Sequence, residues 1–152
     1  MTYVSQEARQ RLLDSIAEAT DLLGAALAAL GDAYEQLDEA SADRLEEQLF
    51  RPVQVAYGRA RRTHAGFAER HRLPGREFQP AGSGAPSHGV RGFLEMALEN
   101  VEEADYELAE LQDSLMPVEV GDAELRAGLA EVRELIGVLP DRAREFLRVF
   151  GR

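Results

Sequence analysis

The sequence predicts an all-α protein, an antiparallel four-helix bundle of long heptad-patterned helices. Three observations carry that prediction. Apolar residues recur in alternating steps of three and four along four separate segments, a spacing that only a helix gathers on one face. Breaks between the segments let the chain reverse direction, as antiparallel neighbours require. The 152 residues suit one ordinary domain, long enough to bury a core without disulfides or structural metal. The expected organisation is a single bundle over 1–152 with a proline-, glycine- and serine-rich loop at 73–89.

The first segment carries the seam Leu13, Ile16, Thr20, Leu23, Leu27, Leu30, Tyr34 and Leu37. Ser5 is its candidate N-cap, with Glu7 in the first turn. The second carries Leu45, Leu49, Val53, Ala56, Ala60, Thr63 and Phe67. Ser41 or Asp43 can cap its start, and Pro52 inside the pattern predicts a short preceding turn or a kink. Periodicity then vanishes in LPGREFQPAGSGAPSHG, which reads as a connection that crosses the end of the bundle or closes over a surface. Ser87 can cap the third helix, whose seam is Leu94, Ala97, Val101, Ala104, Leu108, Leu111 and Leu115, with Pro117 as its stop. Asp122 is a good N-cap for the fourth. Its seam, Leu125, Leu129, Val132, Ile136, Leu139, Ala143, Phe146 and Phe150, continues in register through Pro140, which predicts a bend.

Composition removes several chemistries. Cysteine and lysine are both absent, which excludes thiolate nucleophiles, thiolate metal sites, lysine Schiff bases and a phosphate-loop lysine. No apolar run is long enough to span a membrane. The start, MTYVSQEARQRLL, lacks a basic stretch followed by an apolar core, so a cytoplasmic protein is expected. The low isoelectric point argues against nucleic acid as partner.

Charge is distributed unevenly. The formal net charge is -11, and residues 95–124 hold eleven carboxylates with no arginine. Residues 59–76 hold six arginines against one carboxylate. Like charges at this density repel, so the acidic third helix needs an opposite charge nearby. The arginine-rich second helix is the expected internal partner, and a basic protein or divalent cations are the external ones, with Tyr106 as an anchoring contact for a protein.

Candidate sites follow from spacing. Residues 22–31, LLGAALAALG, contain no polar side chain, and a helix apolar on all sides wants burial on all sides. Leu22, Ala25 and Ala29 are therefore expected at a homodimer interface through the first helix, with Gly24 and Gly31 permitting close approach. Tyr57, His64 and His71 stand at seven-residue intervals and should form a row on the second helix. With Arg61 and Arg62, that row is the candidate ligand-binding surface.

Arg59 and His64 make an Arg-x4-His spacing. This resembles the signature of the HEPN ribonucleases, which are small, all-helical and dimeric. The resemblance covers two residues, and Ala60 departs from the polar residue that usually follows the arginine. It implies His64 as proton-transfer group and Arg59 as phosphate stabiliser.

A ferritin-like di-metal centre needs Glu-x-x-His motifs. Arg61, Ala68 and Ala85 stand three residues before the three histidines, so no metal site is favoured. The alternative carboxylate cluster is Glu99, Glu102 and Glu103. Thr20, Tyr34 and Thr63 are the polar groups that a ligand in the core would use. The leading expectation is a noncatalytic bundle acting through protein–protein association as a homodimer, without a cofactor. The second is a helical phosphoesterase or ribonuclease using Arg59 and His64, and the third is a metal- or small-molecule-binding bundle.

Overall fold

The computed structural model describes residues 2–80 and 89–150. Helix α1 spans Thr2–Glu35, and the chain reverses through residues 36–38. Helix α2 (Glu39–Leu45), a π-helical stretch (Glu46–Phe50) and α3 (Arg51–Arg70) then run on end to end. Helices α4 (Gly89–Asp113), α5 (Met116–Glu119), α6 (Ala123–Gly137) and α7 (Leu139–Phe150) complete the fold.

Neighbours in the bundle are fixed by packing: α1 lies against α3 and α4, and α6 also lies against α3 and α4. The order around the bundle is therefore α1, α3, α6, α4. Direction is read from cross-links. Gln6 at the start of α1 donates to the His71 carbonyl just past α3. Arg70 and Arg59 of α3 pair with Asp122 before α6 and Glu131 within it, in reversed order. Arg133 of α6 bonds Asp105 of α4, while Arg126 bonds the Pro117 carbonyl beyond α4. Leu30 of α1 shares an apolar gap with Leu94, while Ser15 lines a groove with Glu110. Every neighbouring pair is thus antiparallel, while α3 and α4 stand on a diagonal and run parallel. The connection between them must return the chain along the bundle, which is a one-crossover topology.

The four seams form the core. Each residue of the second seam is buried, as are Leu13 to Leu30 of the first, Leu94 to Leu111 of the third and Leu125 to Phe146 of the fourth. Burying a leucine, isoleucine or phenylalanine side chain stabilises by about 1.5–3 kcal/mol. The seams overrun only at helix ends: Tyr34, Leu115 and Phe150 are exposed. Leu115 lies beyond the last turn of α4 with φ 68°, so the helical phase that would turn it inward is lost.

Local signals resolve in physical terms. The cap of α2 is Asp38, which accepts from the Ser41 N–H at 2.8 Å, and Asp43 lies inside that helix. Ser5 is likewise interior, because α1 already begins at Thr2. Ser87 lies outside the described residues. Proline cannot supply a backbone N–H, and the π-helical stretch directly before Arg51–Pro52 admits Pro52 without breaking the rod; the Arg51 N–H reaches back to the Glu46 carbonyl. At Pro140 the predicted bend is a break, with α6 ending at Gly137 and α7 starting at Leu139. Asp122 does cap α6, accepting from the Leu125 N–H at 2.8 Å.

Candidate functional site

The carboxylates of α4 divide between its two edges. Glu102 and Asp105 turn toward the fourth corner of the bundle, where Arg144 of α7 and Arg133 of α6 each bond at 2.9 Å. The arginines of α3 do not serve α4, contrary to the sequence expectation, because those helices are diagonal. Arg59 pairs with Glu131 at 2.6 Å, and Arg70 holds Asp122 through two bonds and Glu124 through one. The other edge of α4 faces α1, which presents Glu18 and Asp21 at the same level. Glu103, Glu107 and Glu110 therefore meet further carboxylates instead of cations.

A groove runs along this α1–α4 face in two adjoining parts. One is lined by Glu18, Asp21, Leu22, Glu103 and Glu107. The other carries Glu18, Glu107 and Glu110 together with Tyr106, Leu111 and Met116. Among the described residues, Glu18, Glu103, Glu107 and Glu110 form no ion pair. One oxygen of Glu107, Oε2, is buried and has no hydrogen-bond partner among the described residues. Burial, reinforced by Glu18 and Glu103, holds the Glu107 carboxyl above the ordinary range. Tyr106 is 65% exposed on the same face.

The residues expected at a dimer interface fall in different places. Ala29 is fully buried within the protomer, because α1 is covered by both α3 and α4. Leu22 is half-buried and lines the acidic groove, while Ala25 is exposed. Gly24 is already used internally: a Cβ there would lie 3.1 Å from the Tyr57 ring. Much of the apolar character of residues 22–31 is thus absorbed inside one chain.

The row on α3 is also turned inward. Tyr57 and His64 are 5% and 3% exposed, and among the described residues neither the Tyr57 hydroxyl nor His64 Nδ1 has a hydrogen-bond partner. Burial pushes the tyrosine hydroxyl up and the His64 imidazolium down, and Arg76 adds to the latter effect. His71 leaves the row, with Nε2 2.9 Å from Asp122 and its ring 4.4 Å from that of Phe67. Burial would raise the Asp122 carboxyl, but the Arg70 side chain, the Leu125 N–H and His71 together hold it far below the usual carboxylate range. Arg61 stacks over Tyr57 at 4.9 Å, whereas exposed Arg62 lies along its own helix beside Gly58.

Residues 71–80 cover part of this row. Leu73 N–H bonds the Ala68 carbonyl, Arg76 makes two bonds to Asp21 of α1, and Phe78 sets its ring edge-on to His64 at 5.0 Å. Of the two courses the sequence allows for this segment, residues 71–80 take the one that closes over a surface, but sequence reasoning did not single out Arg76 and Phe78 as the residues that hold it there. The available signal was a lone phenylalanine inside a proline- and glycine-rich stretch, since a linker that touches nothing has little use for one.

Three other candidates are not assembled. Arg59 points to α6 and Thr63, whereas His64 packs against Phe78 and senses Asp14 and Asp21 of α1, so the Arg-x4-His pair diverges. Glu102 and Glu103 leave α4 toward different neighbours, and among the described residues no group of three His, Asp or Glu side chains converges to hold a metal ion. In the core, Thr20 and Thr63 donate to the Ile16 and Arg59 carbonyls, and Tyr34 is exposed. The apolar gap between Leu30, Leu94 and Leu139 is about 10 Å3, room for no more than a water. Among the described residues no helix is long and apolar enough to cross a membrane. No protein-family model, curated protein or solved structure matches the chain.

Proposed function

We propose that this helical bundle acts by protein–protein association, without catalysis, and that the α1–α4 groove takes a cationic amphipathic segment of its partner. The observation that carries this reading is Glu107, held with a buried, unpartnered oxygen between Glu18 and Glu103. A like-charge cluster of this kind lowers the stability of the free protein, and an arginine or lysine from outside relieves it. Leu22, Met116 and Tyr106 supply apolar contact beside the charges, the mixture that helix-in-groove recognition uses. A symmetric dimer through the same face sets carboxylate against carboxylate. Self-association through the first helix draws on half-buried Leu22 and Ala28 and on exposed Ala25 and Tyr34 as its apolar contacts.

Two measurements test this. Light scattering gives the oligomeric state, and a monomer is expected. Fluorescence anisotropy with an arginine-bearing amphipathic helical peptide should show binding that weakens with salt and is lost in Glu103→Arg. Equal binding of a glutamate-bearing peptide of the same pattern, or insensitivity to Glu103→Arg, refutes the assignment. A stable dimer abolished by Ala25→Arg restores the first-helix interface in its place.

A further inference from the structure

We propose that the strap is a proton-operated cover: protonation of His64 lifts residues 74–80 from α1 and α3 while the four-helix bundle stays folded. The device needs no partner and is independent of the acidic groove.

Attachment of the cover is local. Leu73 fixes its foot, with its side chain packed against the core and its N–H bonded to the Ala68 carbonyl at 2.8 Å. Beyond that foot, a Cβ added at Gly75 would meet nothing within 4 Å, so the chain is free to turn there. Among residues 74–80 only Phe78 is buried, and its ring stands edge-on to that of His64 at 5.0 Å. Arg76 adds a clasp, bonding both oxygens of Asp21 at 2.8 and 2.9 Å and stacking over Phe78 at 4.3 Å. Both sides of that ion pair are about half exposed, where water and salt weaken it. One buried ring therefore holds the cover down, and a titratable ring lies beneath it.

Closure keeps His64 dry. The residue is 3% exposed, and its Nδ1 has no hydrogen-bond partner among the described residues. An imidazolium donates from both nitrogens, so a protonated ring under the cover has a buried charge and an N–H with nothing to receive it. The charged groups facing the ring are Asp14 and Asp21 of α1 and Arg76 of the strap, and Glu18 of α1 lines the cleft beside it. Asp21 is held by Arg76, and Asp14 accepts from the Gln10 amide. Helix α6 meets α3 elsewhere, with its Glu131 and Glu124 held by Arg59 and Arg70. Burial first, and Arg76 second, keep the covered ring neutral against the pull of the two aspartates. Once the cover lifts, water reaches the ring and Arg76 moves away. The open form then binds a proton more readily than the closed form, so acid favours opening. The ratio of open to closed rises as pH falls below the ordinary 6.5, by up to about tenfold per pH unit.

The chain has no tryptophan, so Phe78→Trp places a single fluorescent reporter in the cover. From pH 8 to pH 5, acrylamide quenching of that tryptophan should rise, while circular dichroism at 222 nm stays constant. His64→Gln and His64→Leu, one polar and one apolar, should each remove the response. His71→Gln, at the foot of the strap, should leave it in place. In the wild-type chain the nuclear Overhauser contact between the Phe78 and His64 rings should fade over the same range, a readout that needs no substitution. The proposal is overturned if that contact persists at pH 5, if quenching responds equally without His64, if His71→Gln abolishes the response, or if helix content falls together with it.

Discussion

The neighbour order of the bundle makes its sharpest prediction at Gly128. In the middle of α6, a Cβ built there stands 2.8 Å from Thr63 Cγ2 and 3.0 Å from Thr63 Cβ, and closer still to the hydroxyl oxygen. An alanine elsewhere in a helix gains about 1 kcal/mol over glycine. Here the same methyl must push α6 from α3 or rotate Thr63 out of its 2.8 Å bond to the Arg59 carbonyl. Overpacking of this kind costs about 1–3 kcal/mol, and the lost hydrogen bond about 1 kcal/mol. The sum leaves Gly128→Ala destabilised by about 1–3 kcal/mol, a fall in melting temperature of about 2–4 °C for each kcal/mol. Chemical denaturation followed by circular dichroism at 222 nm measures it. Thr63→Ala in the Gly128→Ala background should recover about 1 kcal/mol or more relative to additivity. If Gly128→Ala stabilises like an ordinary helical substitution, α3 and α6 are not the touching pair and the bundle order is wrong.

Other perturbations read the charges. Glu107→Gln should raise stability at pH 7 by about 1 kcal/mol. Its wild-type carboxyl is raised, so the penalty grows as pH climbs past the ordinary 4.5 and is absent below it; melting temperatures at pH 4 and 7 show whether the gain depends on pH. Asp122→Ala removes a cap, two arginine bonds and the His71 contact and should cost about 2–3 kcal/mol at neutral pH. Because that carboxyl is depressed, the loss should shrink only when acid titrates the wild type below its ordinary 3.8. His64 titrates in the opposite sense to a salt-bridged histidine. Its folded form resists protonation, so its neutral form contributes stability that declines as pH falls below the ordinary 6.5, by up to about 1.4 kcal/mol per pH unit. A His64→Gln variant that folds should lose that slope, and one with an unchanged pH profile removes His64 as its source.

The core and the four bundle segments were legible because apolar periodicity is a one-dimensional record of burial, and Leu23, Val101 and Ile136 lie where their spacing puts them; the divisions within the second and fourth segments were not. Neighbour order was not, because heptads say which face is buried and not which helix covers it. That is why the arginines of α3 were assigned to α4, when Arg133 and Arg144 perform that task from the fourth segment. Ala29 was misplaced for a related reason: a wide apolar face can mean a partner chain or simply two internal neighbours. Tyr57, His64 and His71 were singled out by interval alone. Their burial under Phe78 and Arg76 depends on a strap whose sequence has no period to read.

The crossover between α3 and α4 also sets an order of events during synthesis. By the time residue 80 has emerged, α1 can already pair with α2, the π-helical stretch, α3 and the strap, but the side of α1 that α4 will cover is still bare. That side stays open until residues 89–113 have left the ribosome and travelled back past the earlier hairpin. The nascent chain thus carries an uncovered leucine and alanine surface for a defined window, and exposed surface of that kind is where aggregation begins. Helix α4 covers that side of α1 before α6 and α7 complete the core, and its charge sets repulsion between incomplete chains against their association.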